Sequence, residues 1–393
     1  QTLYLEINKS HYIFIVGEND EQNNFKIIYK LDVPLNGFEN NKIVDLEKNL
    51  NAIKKNIYLI EKKLNETINE IVLILDNFDL LFVNLTGFKK LNGSKVLREN
   101  ITYILNTLKF CVEQYESKKT ILHIFNTKFY LDNKKISSLP IGLFGDLYSH
   151  ELSFNLINTN DYKNIINIFE KCNLKIKKIL IKSFIKGANI SDNNKKSETF
   201  FQIKISNNSS KIFYFENNSL KFEQEFKFGI NVIIKDISKV TSLKIDVVKM
   251  ILEKIELKKE ISDTELVEKD LFNTDSYRKI KKKLIYEIAL ARIEEFSEIL
   301  LFKNINLKYF NKNSNNIFLE FDEELHHQCL REIFKFVFSV NGSSSVIVLK
   351  NLSIDSLFNT ANKLVHFGWK NEAIPLTQPK KSVIAKFFDA IFG

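Results

Sequence analysis

Near the end of the chain, Val383, Ile384, Phe387, Phe388, Ile391 and Phe392 recur as adjacent pairs four residues apart, accompanied by Lys380, Lys381 and Lys386. At 3.6 residues per turn that spacing puts all six apolar side chains on one side of a helix. The chemistry open to such a stripe is shallow insertion into lipid. Phenylalanine and isoleucine would sit at the acyl boundary, with the lysines beside anionic headgroups at about 1 kcal/mol each. A helix this short lies in the interface and holds reversibly, so firm attachment requires many copies acting together. The competing use of the same pattern is packing onto the chain's own core. Residues 371–380 before it are mostly polar and include Pro375 and Pro379, which predicts a linker.

Other reactive side chains do not assemble so clearly. Cys111, Cys172 and Cys329 are widely separated, which supports neither a disulfide framework nor a thiolate zinc site. His326, His327 and Cys329 lie together, but adjacent residues on a helix diverge, so they are expected at the surface and not around a metal. His11, His123, His150 and His366 are isolated, as local hydrogen-bonding groups are. The formal charge of +9 suits an anionic surface, yet the lysines are scattered and no RNA-binding motif or zinc finger accompanies them. Nucleic acid is therefore not an expected partner. No run approaches the eighteen apolar residues of a spanning helix, and residues 2–16 alternate where a signal peptide is continuously apolar, which predicts a cytoplasmic location.

The elements that must position these groups follow from periodicity. Residues 2–16 and 25–33 read as strands, 45–64 as a helix, 70–85 as strand, 96–112 as helix, 120–131 and 147–157 as strands, 162–172 as helix and 178–184 as strand. Residues 187–198 read as a polar linker. Three strands follow, at 199–205, 211–215 and 220–228, separated by Asn/Ser-rich turns. Helices at 231–240, 246–253 and 278–302, a strand at 316–321 and a helix through Val337 complete the pattern. The second three-strand block repeats the opening one, so a duplicated α/β architecture, each half a sheet with helices on it, is expected.

Several short strings stand out along this order: Leu122-His123-Ile124, Leu131-Asp132, Pro140-Ile141-Gly142-Leu143 with Gly145, and the run from Lys171 to Ile176. To these add Gly37 with Ile43-Val44-Asp45-Leu46, Gly229 with Asp236-Ile237, Ile288 with Arg292 and Glu295, Asn359-Thr360-Ala361 with His366-Phe367-Gly368, and the amphipathic terminus. Together, and in this order, they resemble the actin-like FtsA family of bacterial cell-division proteins. The resemblance implies a two-lobed actin/Hsp70-like fold with an inserted small α+β subdomain. On that template, 1–68 with 159–192 and about 345–370 form the first lobe, and 69–158 the insert. Residues 193–235 with about 310–344 form the second lobe, 236–309 a partner-binding helical subdomain, 371–380 the linker and 381–393 the membrane helix. The implied role is a scaffold that tethers FtsZ filaments to the cytoplasmic face of the plasma membrane at the septum, polymerises itself and meets other division proteins. The alternative is an actin-like ATPase, or a platform for pilus or envelope assembly with a different partner.

The resemblance also implies ATP with magnesium, held by two hairpin loops in which an Asp is followed by Gly and small hydroxyl residues. Here the first loop matches Glu6-Ile7-Asn8-Lys9-Ser10, which lacks the glycine. The second matches Lys204-Ile205-Ser206-Asn207-Asn208-Ser209, with Lys204 in place of the Asp. Asn207 and Asn208 are expected to keep a turn through positive φ while obstructing phosphate. Lys204 and Lys9 would partly replace a metal's charge. Glu320 and Asp322 stand where an adenine-side Gly-Gly loop belongs, while Asp246 and Lys249 match ribose-contacting positions. Weak or absent nucleotide binding and no catalysis are thus expected. For the FtsZ tail, which is acidic and apolar in this family, the resemblance points to Lys282, Lys283 and Arg292, with Ile285, Ile288 and Ile293 as apolar contacts or as core.

Overall fold

The computed structural model describes residues 1–21, 24–39, 42–76, 78–194, 197–257, 262–272, 276–310, 316–322, 328–341 and 345–373. Strands β1 (Thr2–Ile7), β2 (His11–Asn19) and β3 (Phe25–Pro34) lead through the short pair β4 (Phe38–Glu39) and β5 (Lys42–Ile43) to helix α1 (Leu46–Leu64). Next come β6 (Glu70–Leu75), β7 (Leu80–Lys90), α2 (Arg98–Tyr115), β8 (Lys119–Leu131), β9 (Lys134–Ile136) and β10 (Leu147–Asn158). Helix α3 (Thr159–Lys171), β11 (Lys175–Ile181) and α4 (Lys182–Asn193) follow. The chain continues as β12 (Phe200–Ile205), β13 (Ser210–Glu216), β14 (Ser219–Phe226), α5 (Ile230–Thr241), α6 (Ile245–Lys254) and α7 (Lys282–Ser297). It ends with β15 (Asn316–Phe321), α8 (Gln328–Asn341), β16 (Val346–Val348) and α9 (Ile354–His366).

The chain divides into two compact units, Gln1–Lys195 with Glu216–Lys221 and Leu352–Gly393, and Lys196–Phe215 with Phe222–Asn351. The first unit holds a sheet ordered β11-β6-β1-β2-β3 and the second a sheet ordered β14-β13-β12-β15-β16. Read from the third strand of each opening block inward, the two orders are the same, so the expected duplication is present at the level of topology. In each, the first strand pairs antiparallel with its successor and parallel with a later strand, β6 or β15. The central strands β1, β6 and β12 are nearly continuous apolar runs buried on both faces, as strands covered by helices must be.

The α+β insert lies within the first unit as a second sheet, β7-β10-β8-β9, with α2 packed on it. Its own core gathers Ile104, Leu108, Ile124, Tyr148, Leu152 and Phe154. The insert begins at β7 and not at residue 69, because β6 pairs in parallel with both β1 and β11 in the main sheet. Likewise β16 pairs with β15 in the second unit instead of joining the first lobe. The stretch 187–198 is not a linker in its first half: α4 runs to Asn193 and buries Phe184, Ile185, Ala188 and Ile190. The predicted helix from Arg278 starts only at Lys282. Arg278 instead donates to the carbonyl of Ser242 at 2.9 Å, a cation at the C-terminal end of α5.

The linker expected at 371–380 is also shorter than the composition suggests. Asn126 N–H donates to the Asn371 carbonyl at 2.7 Å and Ala373 N–H to the Ile124 carbonyl at 2.7 Å, so 371–373 pair with β8. The reason is chemical: the Glu372 side chain, 4% exposed, accepts from Lys178 Nζ at 2.9 Å and from His123 Nδ1 at 3.0 Å. Residues 374–393, including the proposed membrane stripe, lie outside the described residues, as do His326 and His327. Cys329 is not at the surface. It sits on the apolar face of α8, donates to the Leu252 carbonyl at 3.1 Å, and burial pushes its thiol pKa up to about 12.

Candidate functional site

In the first unit, β1, β6 and β11 are neighbouring parallel strands whose last residues, Ile7, Leu75 and Ile181, fall at one level of the register. The carboxyl ends of parallel strands are where α/β sheets present groups to ligands. Here three charged side chains converge. Lys182 Nζ lies 2.6 Å from Glu6 Oε1 and 3.0 Å from Asp76 Oδ2. Glu6 is 1% exposed, so its charge requires a partner. Burial works against the Lys182 ammonium, but the charges of Asp76 and Glu6 outweigh it and hold its pKa above the ordinary lysine value.

The loop that follows is closed on itself. Asn8 Oδ1 accepts from Ser10 N–H at 2.9 Å and His11 N–H at 2.8 Å, an Asx-type turn that uses the amides a phosphate would need. Ser10 Oγ lies 2.8 Å from His11 Nδ1. Lys9 is exposed and borders a cavity of about 180 Å³ with Asn8, Phe38, Asp76 and Phe78.

In the second unit, the loop after β12 is closed in a different way. The carbonyls of Ser206 and Asn207 accept from Ile230 N–H at 3.1 Å and Asn231 N–H at 3.0 Å, the first two amides of α5. The free N–H groups of a helix start, which otherwise suit an anion, are thus already given to protein oxygens. Gly229 makes this approach possible: a Cβ there would stand 2.2 Å from the Ser206 oxygen and 2.8 Å from Asn207. Neither Asn207 nor Asn208 adopts positive φ, contrary to expectation; the turn is held by Ser206 N–H to the Ser209 carbonyl at 2.9 Å. Gly229→Ala is expected to cost about 1–3 kcal/mol through this overlap. Denaturant unfolding measures it, and an unchanged midpoint would contradict the close packing.

The remaining residues matched to a nucleotide are distributed within the second unit. Lys204 Nζ pairs with Asp322 at 2.9 Å on the adjoining strand end. Glu320 is buried and accepts from Gln202 Nε2 at 2.8 Å. Asp246 and Lys249 stand on the exposed face of α6, which packs on α5 and α8. These groups do not fit a magnesium-bound phosphate: Glu6, Asp76 and Asp322 face ammonium groups, Glu320 accepts from an amide, and the loop and helix amides are given to protein oxygens. Lys182 and Asp76 were not singled out by sequence. The signal available was a charged residue directly after the apolar ends of β6 and β11.

The three cations matched to partner binding are each held by an acid of the same chain. Lys282 pairs with Glu268, Lys283 with Asp263 at 2.8 Å, and Arg292 with Glu295 and with Asp236 at 2.6 Å. Ile285 and Ile293 belong to the core, whereas Ile288 is half-buried. Ile288, Val240, Lys239, Asp236, Arg292 and Glu295 line a surface cavity of about 360 Å³ between α5 and α7. Among the described residues, no helix is long and apolar enough to cross a membrane.

Comparison with known proteins agrees with the fold. No protein-family model matches the chain. It is 23% identical over 309 residues to the cell division protein FtsA of Buchnera aphidicola subsp. Schizaphis graminum, covering 78% of this chain and 73% of that one. It is 21% identical over 301 residues to FtsA of Neisseria meningitidis serogroup B, covering 76% and 72%. Among solved structures, a chain of the PilM–PilN type IV pilus biogenesis complex superposes with a TM-score of 0.52 at 9% identity, covering 93% of this chain and 96% of that one. That likeness concerns the fold alone.

Proposed function

From the premise that this chain is a divergent actin-like protein of the FtsA cell-division group, we propose that it is a scaffold rather than an enzyme. In this reading it tethers FtsZ filaments to the cytoplasmic face of the plasma membrane at the septum through residues 381–392. The observation that carries it is collinear similarity to FtsA proteins over 78% of the chain. The paired stripe of Val383, Ile384, Phe387, Phe388, Ile391 and Phe392 with its lysines supports the membrane contact. Self-assembly follows from the physics of that contact, since one short interfacial helix is weak and an array is strong.

Both phosphate loops support a protein that neither requires nor hydrolyses ATP. Their amides and charged groups are satisfied internally, so a nucleotide would have to displace existing bonds to bind. For the FtsZ tail, the groove at Ile288 and Val240 offers apolar surface beside Arg292 and Lys239. An acidic tail there would exchange with Asp236 and Glu295 for the arginine, so binding should weaken as ionic strength rises.

Sedimentation with anionic liposomes tests the reading. The full chain is expected to pellet with vesicles, and a chain ending at Gln378 to stay in solution. Equal pelleting of the two would refute the terminal anchor. Co-purification of FtsZ with the full chain, lost on Arg292→Glu, tests the partner; retention of FtsZ by that variant would move the contact elsewhere.

A further inference from the structure

We propose that the Lys182 ammonium is the resident counter-cation of the Glu6/Asp76 carboxylate pair, and that it excludes a divalent metal ion from the carboxyl end of the first unit's sheet. This inference concerns one site and stands whether or not the scaffold reading holds.

Glu6 and Asp76 approach a common point from two neighbouring strands, and that point is filled by one nitrogen 2.6 Å and 3.0 Å away. A pair of carboxylates converging at the ends of parallel strands is the arrangement by which hard divalent cations, or the waters around them, are held. A lysine supplies the charge here without needing metal: its ammonium is a compact point charge with three donors on a flexible stem.

The local structure shows that this placement opposes other preferences. Lys182 is the first residue of α4, where the helix dipole disfavours a cation, and the N-cap residue, Ile181, gives no side-chain cap. The carboxylates outweigh this, and Phe184, fully buried two residues on, packs its ring against those of His123 and Phe125 on β8. The pair and its ammonium therefore form in the folded chain from its own residues. A metal entering the same point would meet a fixed positive charge and would have to expel it into solvent.

Mn²⁺ binding to the full-length chain, followed by electron paramagnetic resonance, tests the idea. The wild-type chain is expected to bind no Mn²⁺ in a manner that depends on Asp76, so wild type and Asp76→Asn give the same free-ion signal. Lys182→Met is expected to gain one Mn²⁺ per chain, bound at least about tenfold tighter than by wild type. Its melting temperature should rise on adding Mn²⁺, and Glu6→Gln in the same chain should abolish both effects. A folded Lys182→Met that binds no more Mn²⁺ than wild type would overturn the proposal. So would stoichiometric binding by wild type that disappears in Asp76→Asn, and that comparison decides the matter even if Lys182→Met fails to fold.

Discussion

Glu372→Ala is expected to lower the unfolding free energy of the first unit by about 3–5 kcal/mol. The carboxylate is 4% exposed and faces Lys178, whose side chain is 8% exposed, and His123. Removing it leaves a buried ammonium with the Leu364 carbonyl at 3.1 Å as its described remaining acceptor. Breaking one partner of a buried pair costs far more than the pair contributes, because the other charge cannot recover its hydration. An internal control is the pair Lys175–Glu70, with side chains 69% and 45% exposed. Glu70→Ala should change stability by less than about 1 kcal/mol. Equal effects at the two positions, by denaturant unfolding, would show that burial does not decide the cost.

The same carboxylate has a pH signature. Burial acts to raise its pKa, but the hydrogen bond from His123 and the charges of His123 and Lys178 hold it below the ordinary value of 4.5. A lowered folded pKa gives stability that is present above the unfolded value and is lost as pH falls through the folded one. The contribution of Glu372 is therefore complete above about pH 4.5 and fades below it.

His150 should make the insert acid-sensitive at a higher pH. It is fully buried on β10, its ring 4.8 Å from that of Phe129, and both nitrogens lack a hydrogen-bond partner among the described residues. Burial drives its pKa down from 6.5 to about 4. The unfolded chain then binds a proton that the folded one refuses, so stability is full above pH 6.5 and declines toward pH 4. The loss amounts to about 3 kcal/mol across that interval. Unfolding midpoints at a series of pH values, compared with His150→Phe, measure it. Identical pH slopes in the two proteins would rule out His150 as the source.

Much of the architecture was legible because burial writes itself into apolar runs. The strands from Thr2 and Phe200 onward, the turn at Asn217-Asn218 with its two positive φ angles, and the capped helix beginning after Asp45 all follow from local chemistry. Errors arose where tertiary partners override composition. The polar stretch before Pro375 looked like a free linker, yet Asn371 to Ala373 pair with β8 because Glu372 finds a lysine and a histidine distant in sequence. Residues 187–193 looked like a linker because Gly187, Asn189 and Asp192 interrupt the pattern, yet Asn189 bonds Thr360 on α9 at 2.9 Å and Ile190 is core. At the loops, the loss of glycines was readable, but what replaced them was not. Asn8 turning onto its own amides and Lys182 reaching back to Glu6 depend on distances that spacing does not encode.

The pairing of 371–373 with β8 also sets the length of a leash. The last backbone bond described, from Ala373 to Ile124, leaves seven residues, 374–380, before Lys381. Fully drawn out, the eight steps from Ala373 to Lys381 reach about 28 Å. If residues 381–392 lie in lipid as proposed, the edge of the insert at Ile124 can stand no farther off than that. The sheet face around β8 would then hover close above the headgroups, and any filament carried by this protein would be held at a stand-off fixed by one strand pairing.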